Sequence, residues 1–230
     1  MSDAAPPGEA RTLLTDDVSS AFAKTVTDAF RTRPGARFSL VLSGGSTARE
    51  CYEELARTDE YPVDWDLVDV YMGDERCVAP DDPDANQRLV RESLLDRVGG
   101  AGSFHPMSCP DGASAYEELI RAAGDLLDLV HLGLGPDGHT ASLFPEVPEL
   151  EVGPEKLVAL TTDPTGRNPH PRMTLTLPGI ARGRLVVFTV QGSEKSWAYR
   201  TVNDGGDLPA ARVRAPSILW IVDGAAAGDS

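Results

Sequence analysis

Lysine is scarce in this chain: of 21 basic residues only Lys24, Lys156 and Lys195 are lysines, and 36 acidic residues bring the formal net charge to -15. That balance excludes a sequence-independent nucleic-acid surface, which needs a basic stripe to displace phosphate counterions. It also sets a condition on any anionic ligand. Arg, Lys and helix N-termini must make a local positive focus inside an acidic body. Cysteine is equally sparse. Cys51, Cys77 and Cys109 are odd in number and lack paired metal-ligand spacing, so neither a disulfide framework nor a zinc site is expected, and buried or idle thiols are the reading. No apolar run approaches the roughly 18 residues of a membrane span, and no charged n-region precedes an apolar h-region. The expected location is the cytosol, with no membrane and no nucleic acid among the partners.

What is present is enough apolar material for a core. With 230 residues and 41% hydrophobic composition, one large α/β domain is expected over residues 10 to 223, between frayed tails at 1–9 (MSDAAPPGE) and 224–230 (GAAAGDS). Val18, Phe22, Val26 and Phe30 recur at four-residue spacing behind a Thr15 cap, which predicts an amphipathic helix over residues 15 to 32. Strands are expected at 38–42, 67–72, 129–134, 157–162, 172–176, 184–190 and 217–222, and further helices after the Ser43–Thr47 loop through about Arg57 and over 84–98, 113–128 and 193–203. Strands alternating with helices predict a mostly parallel sheet between helix layers. The acidic, proline-bearing stretch from Glu146 to Gly153 reads as a surface loop.

The most informative segment is Gly133 to Pro145, GLGPDGHTASLFP, a glycine turn directly after the apolar run LLDLVHLGL. Such a run suits a parallel strand buried on both faces, and ligands in such sheets bind beyond the strands' carboxyl ends. Gly133, Gly135 and Gly138 also match the dinucleotide-binding G-x-G-x-x-G spacing. That fingerprint should open a long helix, and Pro136, Asp137 and His139 fill positions a pyrophosphate turn keeps small and apolar. An Asp-capped turn with an incidental surface histidine is the plainer alternative. As chemistry, His139 is the best candidate for a general base, because an unperturbed imidazole ionises near about pH 6.5, and Asp137 could orient it. His131 falls inside the strand as a core residue, while His105 and His170 sit beside prolines in expected loops.

Three other segments follow expected strands. Ser43, Gly44, Gly45, Ser46 and Thr47 could cradle a phosphate with backbone N–H groups, hydroxyls and a helix end, or the glycines could simply permit a tight turn. No Gly-Lys-Ser/Thr follows, so this is not a nucleoside-triphosphate loop. In Gly73-Asp74-Glu75-Arg76, Arg76 could bind phosphate while Asp74 and Glu75 hold it, cap the loop or contact hydroxyls; a solvated charge run is the alternative. Lys195, in Gln191-Gly192-Ser193-Glu194-Lys195, could add a point charge. Arg172, at the start of a strand, is a better candidate than Arg167 in the loop before it. No ligand cluster forms around His139, so no metal and no cofactor are expected.

LVLSGGST at 40–47, MGDERCV at 72–78, GLGPDGHTASLFP at 133–145 and QGSEK at 191–195 together resemble the 6-phosphogluconolactonase family. The chain departs from the usual pattern at Ala48, where the family often has Pro, and at Ala85, where it often has Ser before Asn86. The resemblance implies a fold like that of the glucosamine-6-phosphate deaminase and ribose-5-phosphate isomerase group. It implies metal-free hydrolysis of a sugar-phosphate lactone in the oxidative pentose phosphate pathway, with the phosphate on Ser43–Thr47, Arg76 and Lys195. Two rivals remain: the related deaminase, and a non-catalytic sugar-phosphate sensor, which would need no base. In the deaminase pattern an acidic residue lies five positions after the motif histidine and a Tyr follows Asp-Glu; Phe144 and Arg76 stand there in this chain.

Overall fold

The computed structural model describes residues 9–57 and 62–228. In chain order the elements are β1 (Glu9–Leu14), α1 (Val18–Arg31), β2 (Phe38–Leu42), α2 (Ser46–Arg57), β3 (Val68–Met72), β4 (Asp74–Arg76), α3 (Asn86–Val90), α4 (Asp96–Val98) and β5 (Ser103–His105). They continue with α5 (Gly112–Ala122), β6 (Leu127–Gly133), β7 (Val158–Thr161), β8 (Arg172–Leu175), α6 (Leu177–Ile180), β9 (Gly183–Val190), α7 (Ser196–Asn203), β10 (Ser217–Val222) and α8 (Gly224–Ala227). A π-helical turn, Arg91–Leu95, joins α3 to α4.

Seven strands form one parallel sheet in the order β1-β10-β9-β6-β2-β3-β5. The apolar character of its central strands follows from burial: Leu127, Leu129, Val130 and Leu132 of β6 are all inaccessible to solvent, as are Leu40, Val41 and Leu42 of β2. Amphipathic α1 turns Phe22, Ala23 and Val26 into the same core. From β2 the chain steps outward through β3 to β5, and from β6 it steps the other way through β9 to β10. The reversal therefore lies between β2 and β6, where an open α/β sheet leaves a crevice beyond its carboxyl edge. β2, β3, β6 and β9, the four adjacent central strands, each release one of the four candidate segments at that edge.

The mostly parallel sheet flanked by helices is as expected. Several details differ. Gly73–Arg76 is not a loop: Asp74–Arg76 is β4, which pairs antiparallel with β8, and β8 with β7, making a small second sheet. Neither is it a solvated charge run, for Asp74 is 4% and Glu75 1% exposed. α1 is capped by Asp17, not Thr15, because the Asp17 carboxylate reaches the Ser20 N–H at 2.9 Å. The helix expected to reach 128 ends at Ala122, before Gly124 at φ 116°. His105 lies in β5, stacked on Tyr71.

Residues 1–8 of the expected N-terminal tail lie outside the described residues, whereas Glu9 opens β1. Part of the expected C-terminal tail is helical: Asp223 accepts from Ala226 N at 2.7 Å and caps α8. The cysteines need a larger correction. Cys77 and Cys109, expected as idle thiols, form a disulfide across 32 residues of sequence with Cα atoms 5.5 Å apart. Their spacing gave no sign of it, because the approach of β4 to the turn before α5 is tertiary. Cys51 alone among the three is a free thiol, and burial pushes its pKa up to about 12.

Candidate active site

The turn after β6 is built around one histidine. Asp137 Oδ1 lies 2.5 Å from His139 Nδ1 and accepts the His139 backbone N–H at 3.1 Å. Gly135 N donates to His139 O at 2.8 Å and Thr140 Oγ1 donates to Gly133 O at 2.9 Å, so the turn closes on itself. A side chain at Gly135 would displace this pair. A Cβ there would stand 2.0 Å from His139 Nδ1 and 2.7 Å from Asp137 Oδ1. Gly138 takes φ 84° and is roofed by Leu208. The glycines thus make room for an Asp–His pair, and no long helix follows them, which removes the dinucleotide reading.

An imidazole that donates from Nδ1 to a carboxylate carries its lone pair on Nε2, the nitrogen free to take a proton. Burial pulls Asp137 upward, but the hydrogen bond and charge of His139 outweigh it and hold the carboxyl below its ordinary value. The His139 ring is 24% exposed and packs 5.1 Å from the ring of buried Phe144.

A cavity of about 170 Å³ lies along the carboxyl edge. Of the expected residues it is lined by Ser43, Gly44, Gly45, Ser46 and Thr47 after β2, Asp74 and Arg76 after β3, His139 after β6, Lys195 after β9, and Arg172 of β8. Asp137 stands behind His139, and Arg167 does not line the cavity. The first-turn N–H groups of α2 have no partners within the helix, and Ser46, Thr47 and Ala48 of that turn line the cavity. Ser43 differs from expectation. Its hydroxyl donates to His131 O at 2.8 Å and its N–H to Tyr52 Oη at 2.9 Å, so it anchors the loop and has no donor left for an anion.

Arg172 is 5% exposed, its Nη2 donating to Asn168 Oδ1 at 3.0 Å and its Nη1 standing 3.8 Å from Asp74 Oδ2. Burial draws its pKa down, and the charge of Asp74 works against that pull. Asp74 accepts from Ser142 Oγ at 2.6 Å and from Asn86 Nδ2 at 3.2 Å. Arg76 donates from Nη1 to Asp84 O at 2.5 Å and pairs in register with Arg172 across the small sheet. Glu75 does not line the cavity; its carboxylate accepts the N–H groups of Asn86 and Gln87 at the start of α3, both at 2.7 Å, and burial raises its pKa. Asn86, Asn168 and Gln191 also line the cavity and were not anticipated. Only their places, just after or inside loops that follow strands, could have marked them.

Three cations and the start of α2 lining one cavity with a carboxylate-oriented imidazole can hold an anionic group and move one proton. Among the described residues no three His, Cys, Asp or Glu converge as a metal site, and no helix is long and apolar enough to cross a membrane.

The family profile of glucosamine-6-phosphate isomerases and 6-phosphogluconolactonases matches residues 9–220. The chain belongs to that family. A 6-phosphogluconolactonase of Synechocystis sp. is 37% identical over 203 residues, 80% of this chain and 81% of its own. The crystal structure of 6-phosphogluconolactonase from Thermotoga maritima superposes with a TM-score of 0.82 at 31% identity, covering 94% of this chain and all of that one. A monomeric glucosamine-6-phosphate deaminase shares the fold at a TM-score of 0.82 with 18% identity.

Proposed function

We propose that the chain hydrolyses 6-phospho-D-glucono-1,5-lactone to 6-phospho-D-gluconate, the second step of the oxidative pentose phosphate pathway, in the cytosol. The observation that carries this reading is the Asp137–His139 pair opening on a cavity walled by Arg76, Arg172 and Lys195. His139 Nε2 takes a proton from water as the water oxygen bonds to C1. The carbonyl oxygen becomes an oxyanion; its collapse breaks the bond to the ring oxygen, which takes the proton from the imidazolium and leaves as the C5 hydroxyl. Gly44–Thr47, Arg76 and Lys195 hold the 6-phosphate, with Ser43 as the anchor of that loop and Asp74 and Arg172 beside the sugar. Because such a lactone opens slowly in water unaided, fixed geometry and one base suffice.

Phe144 favours lactone hydrolysis over deamination. It sets an apolar ring against His139 at the position where the deaminase pattern has an acid. A sensor of sugar phosphates would have no use for an oriented base. The test is His139→Asn, which should lower kcat about 10²-fold or more while leaving the melting temperature and 6-phosphogluconate affinity unchanged. Unchanged kcat in a folded variant would remove His139 from the chemistry.

A further inference from the structure

Cys77 follows Arg76 directly at the end of β4, and Cys109 opens the helical turn that leads into α5. The lactone reaction has no use for sulfur, so their bond needs another explanation. Its position supplies one. Cys77 N–H donates to Pro171 O at 2.8 Å, one residue before Arg172, and Arg76 is the register partner of Arg172. On the far side of the same small sheet, Glu117 of α5 accepts the N–H groups of Leu157 and Val158 at 2.9 and 3.2 Å. The α5 region therefore grips the small sheet twice, through Glu117 beside β7 and through the disulfide on β4. The second grip is covalent and lands next to a cavity-lining arginine.

The bond is also reachable. Both cysteines are half-buried and line a groove of about 430 Å³ with Pro148, Leu160, Pro164 and Pro171, where Leu160 is 51% exposed. Glu146 and Glu149 flank the same groove. They disfavour a small anionic thiol, and a dithiol has a second sulfur to complete the exchange without another encounter. Cys51, buried and with its pKa raised, takes no part.

We propose that Cys77–Cys109 is a reducible site, the substrate of a dithiol reductant, and that its state sets how firmly β4 presents Arg76 to the cavity. One thiolate of the dithiol attacks a cysteine sulfur, forming a mixed disulfide and releasing the other cysteine as a thiolate. The second thiol of the reductant then displaces the first cysteine, so the reductant departs as a disulfide. Two electrons and two protons pass to the protein, which ends with two thiols. Without the tether, the first two residues of β4 stay anchored by Asp74 to Ser142 and Asn86 and by Glu75 to the start of α3, whereas Arg76, the residue next to Cys77, keeps only its pairing with β8 and its bond to Asp84 O. The link from β4 to the activity rests on the function proposed above; the chemistry of the sulfur site does not.

The protein is first oxidised with oxidised dithiothreitol, then treated with dithiothreitol without denaturant, and each form is alkylated after unfolding and weighed. The mass should report one free thiol, Cys51, before reduction and three after. Amide exchange over residues 74–77 should quicken about threefold or more on reduction, and KM should rise by a similar factor with kcat unchanged. Cys77→Ser and Cys109→Ser should resemble the reduced protein and ignore dithiothreitol. Three free thiols after oxidation would overturn the proposal, as would a bond that survives native dithiothreitol, or equal exchange and KM in both forms. Redox-dependent exchange in a protein that hydrolyses no lactone would uphold the sulfur site and defeat the function assigned to the cavity.

Discussion

His131 and His139 belong to one strand and the turn that follows it, yet their surroundings divide them completely. His131 has no solvent exposure, and both ring nitrogens are engaged at 2.8 Å, by Tyr52 Oη and Thr189 Oγ1. Burial pushes its pKa down to about 3, so it stays neutral and acts as a polar strut joining β6 to α2 and β9. His139 has one nitrogen engaged, by Asp137, and the other turned toward a cavity with cations on its walls. A saturated imidazole stabilises; a half-satisfied one beside a carboxylate can work as a base. Under the proposed function, the contrast puts chemistry at the carboxyl edge and stability one turn below it.

The largest effect on the buried side should come from His131→Ala. The change empties a packed site and takes a buried partner from Thr189 Oγ1 and from Tyr52 Oη, which keeps only Ser43, costing about 3 kcal/mol of stability. A fall of roughly 6–12 °C in Tm with kcat largely kept is expected. If stability held and kcat collapsed instead, the division between the two histidines would be wrong.

On the cavity side, Arg76→Ala and Lys195→Ala should each weaken 6-phosphogluconate binding about tenfold, the scale of one lost charge-assisted contact. Calorimetry on the folded variants checks this. Affinities within twofold of the parent protein would place the phosphate elsewhere.

The smallest effect sharpens the same comparison through pH. An unfolded chain lets His131 titrate near about pH 6.5, whereas the folded chain refuses that proton until about pH 3. The stability is therefore complete above about pH 6.5 and declines as pH falls, by about 1 kcal/mol per unit. Asp137, held low in the fold, adds its own loss only below about pH 4. Urea unfolding at pH 7 and 5.5 should show the slope in the parent protein and a shallower one in His131→Ala; identical slopes would contradict the assignment.

Legibility in the sequence follows the same division. β2 and β10 stand where their apolar runs end, at Phe38–Leu42 and Ser217–Val222, because strands buried on both faces leave a continuous hydrophobic trace. β4 and β5 left none: each has three residues, and β4 is Asp-Glu-Arg, buried through Ser142, Asn86 and backbone partners that come from far along the chain. The cavity wall was readable where glycine turns follow strands, as at Gly44 and Gly135. It was silent at Asn86 and Asn168, whose places depend on hydrogen bonds to the Glu75 and Asp163 carboxylates. Ser43 shows a further limit, since sequence marked it as a phosphate ligand and tertiary contacts had already claimed its donors. The cysteine pair was hidden for the same reason.

The most direct measurement of the account is a paired assay on the purified chain. Acid release from 6-phospho-D-glucono-1,5-lactone is followed beside ammonia release from glucosamine 6-phosphate. Arg76 adds positive charge where an amine would be repelled, and Phe144 offers no proton to a sugar ring, so rapid acid release and no detectable ammonia are expected. Ammonia at a rate comparable to lactone hydrolysis would contradict the account, and activity on neither substrate would leave a sugar-phosphate sensor in its place.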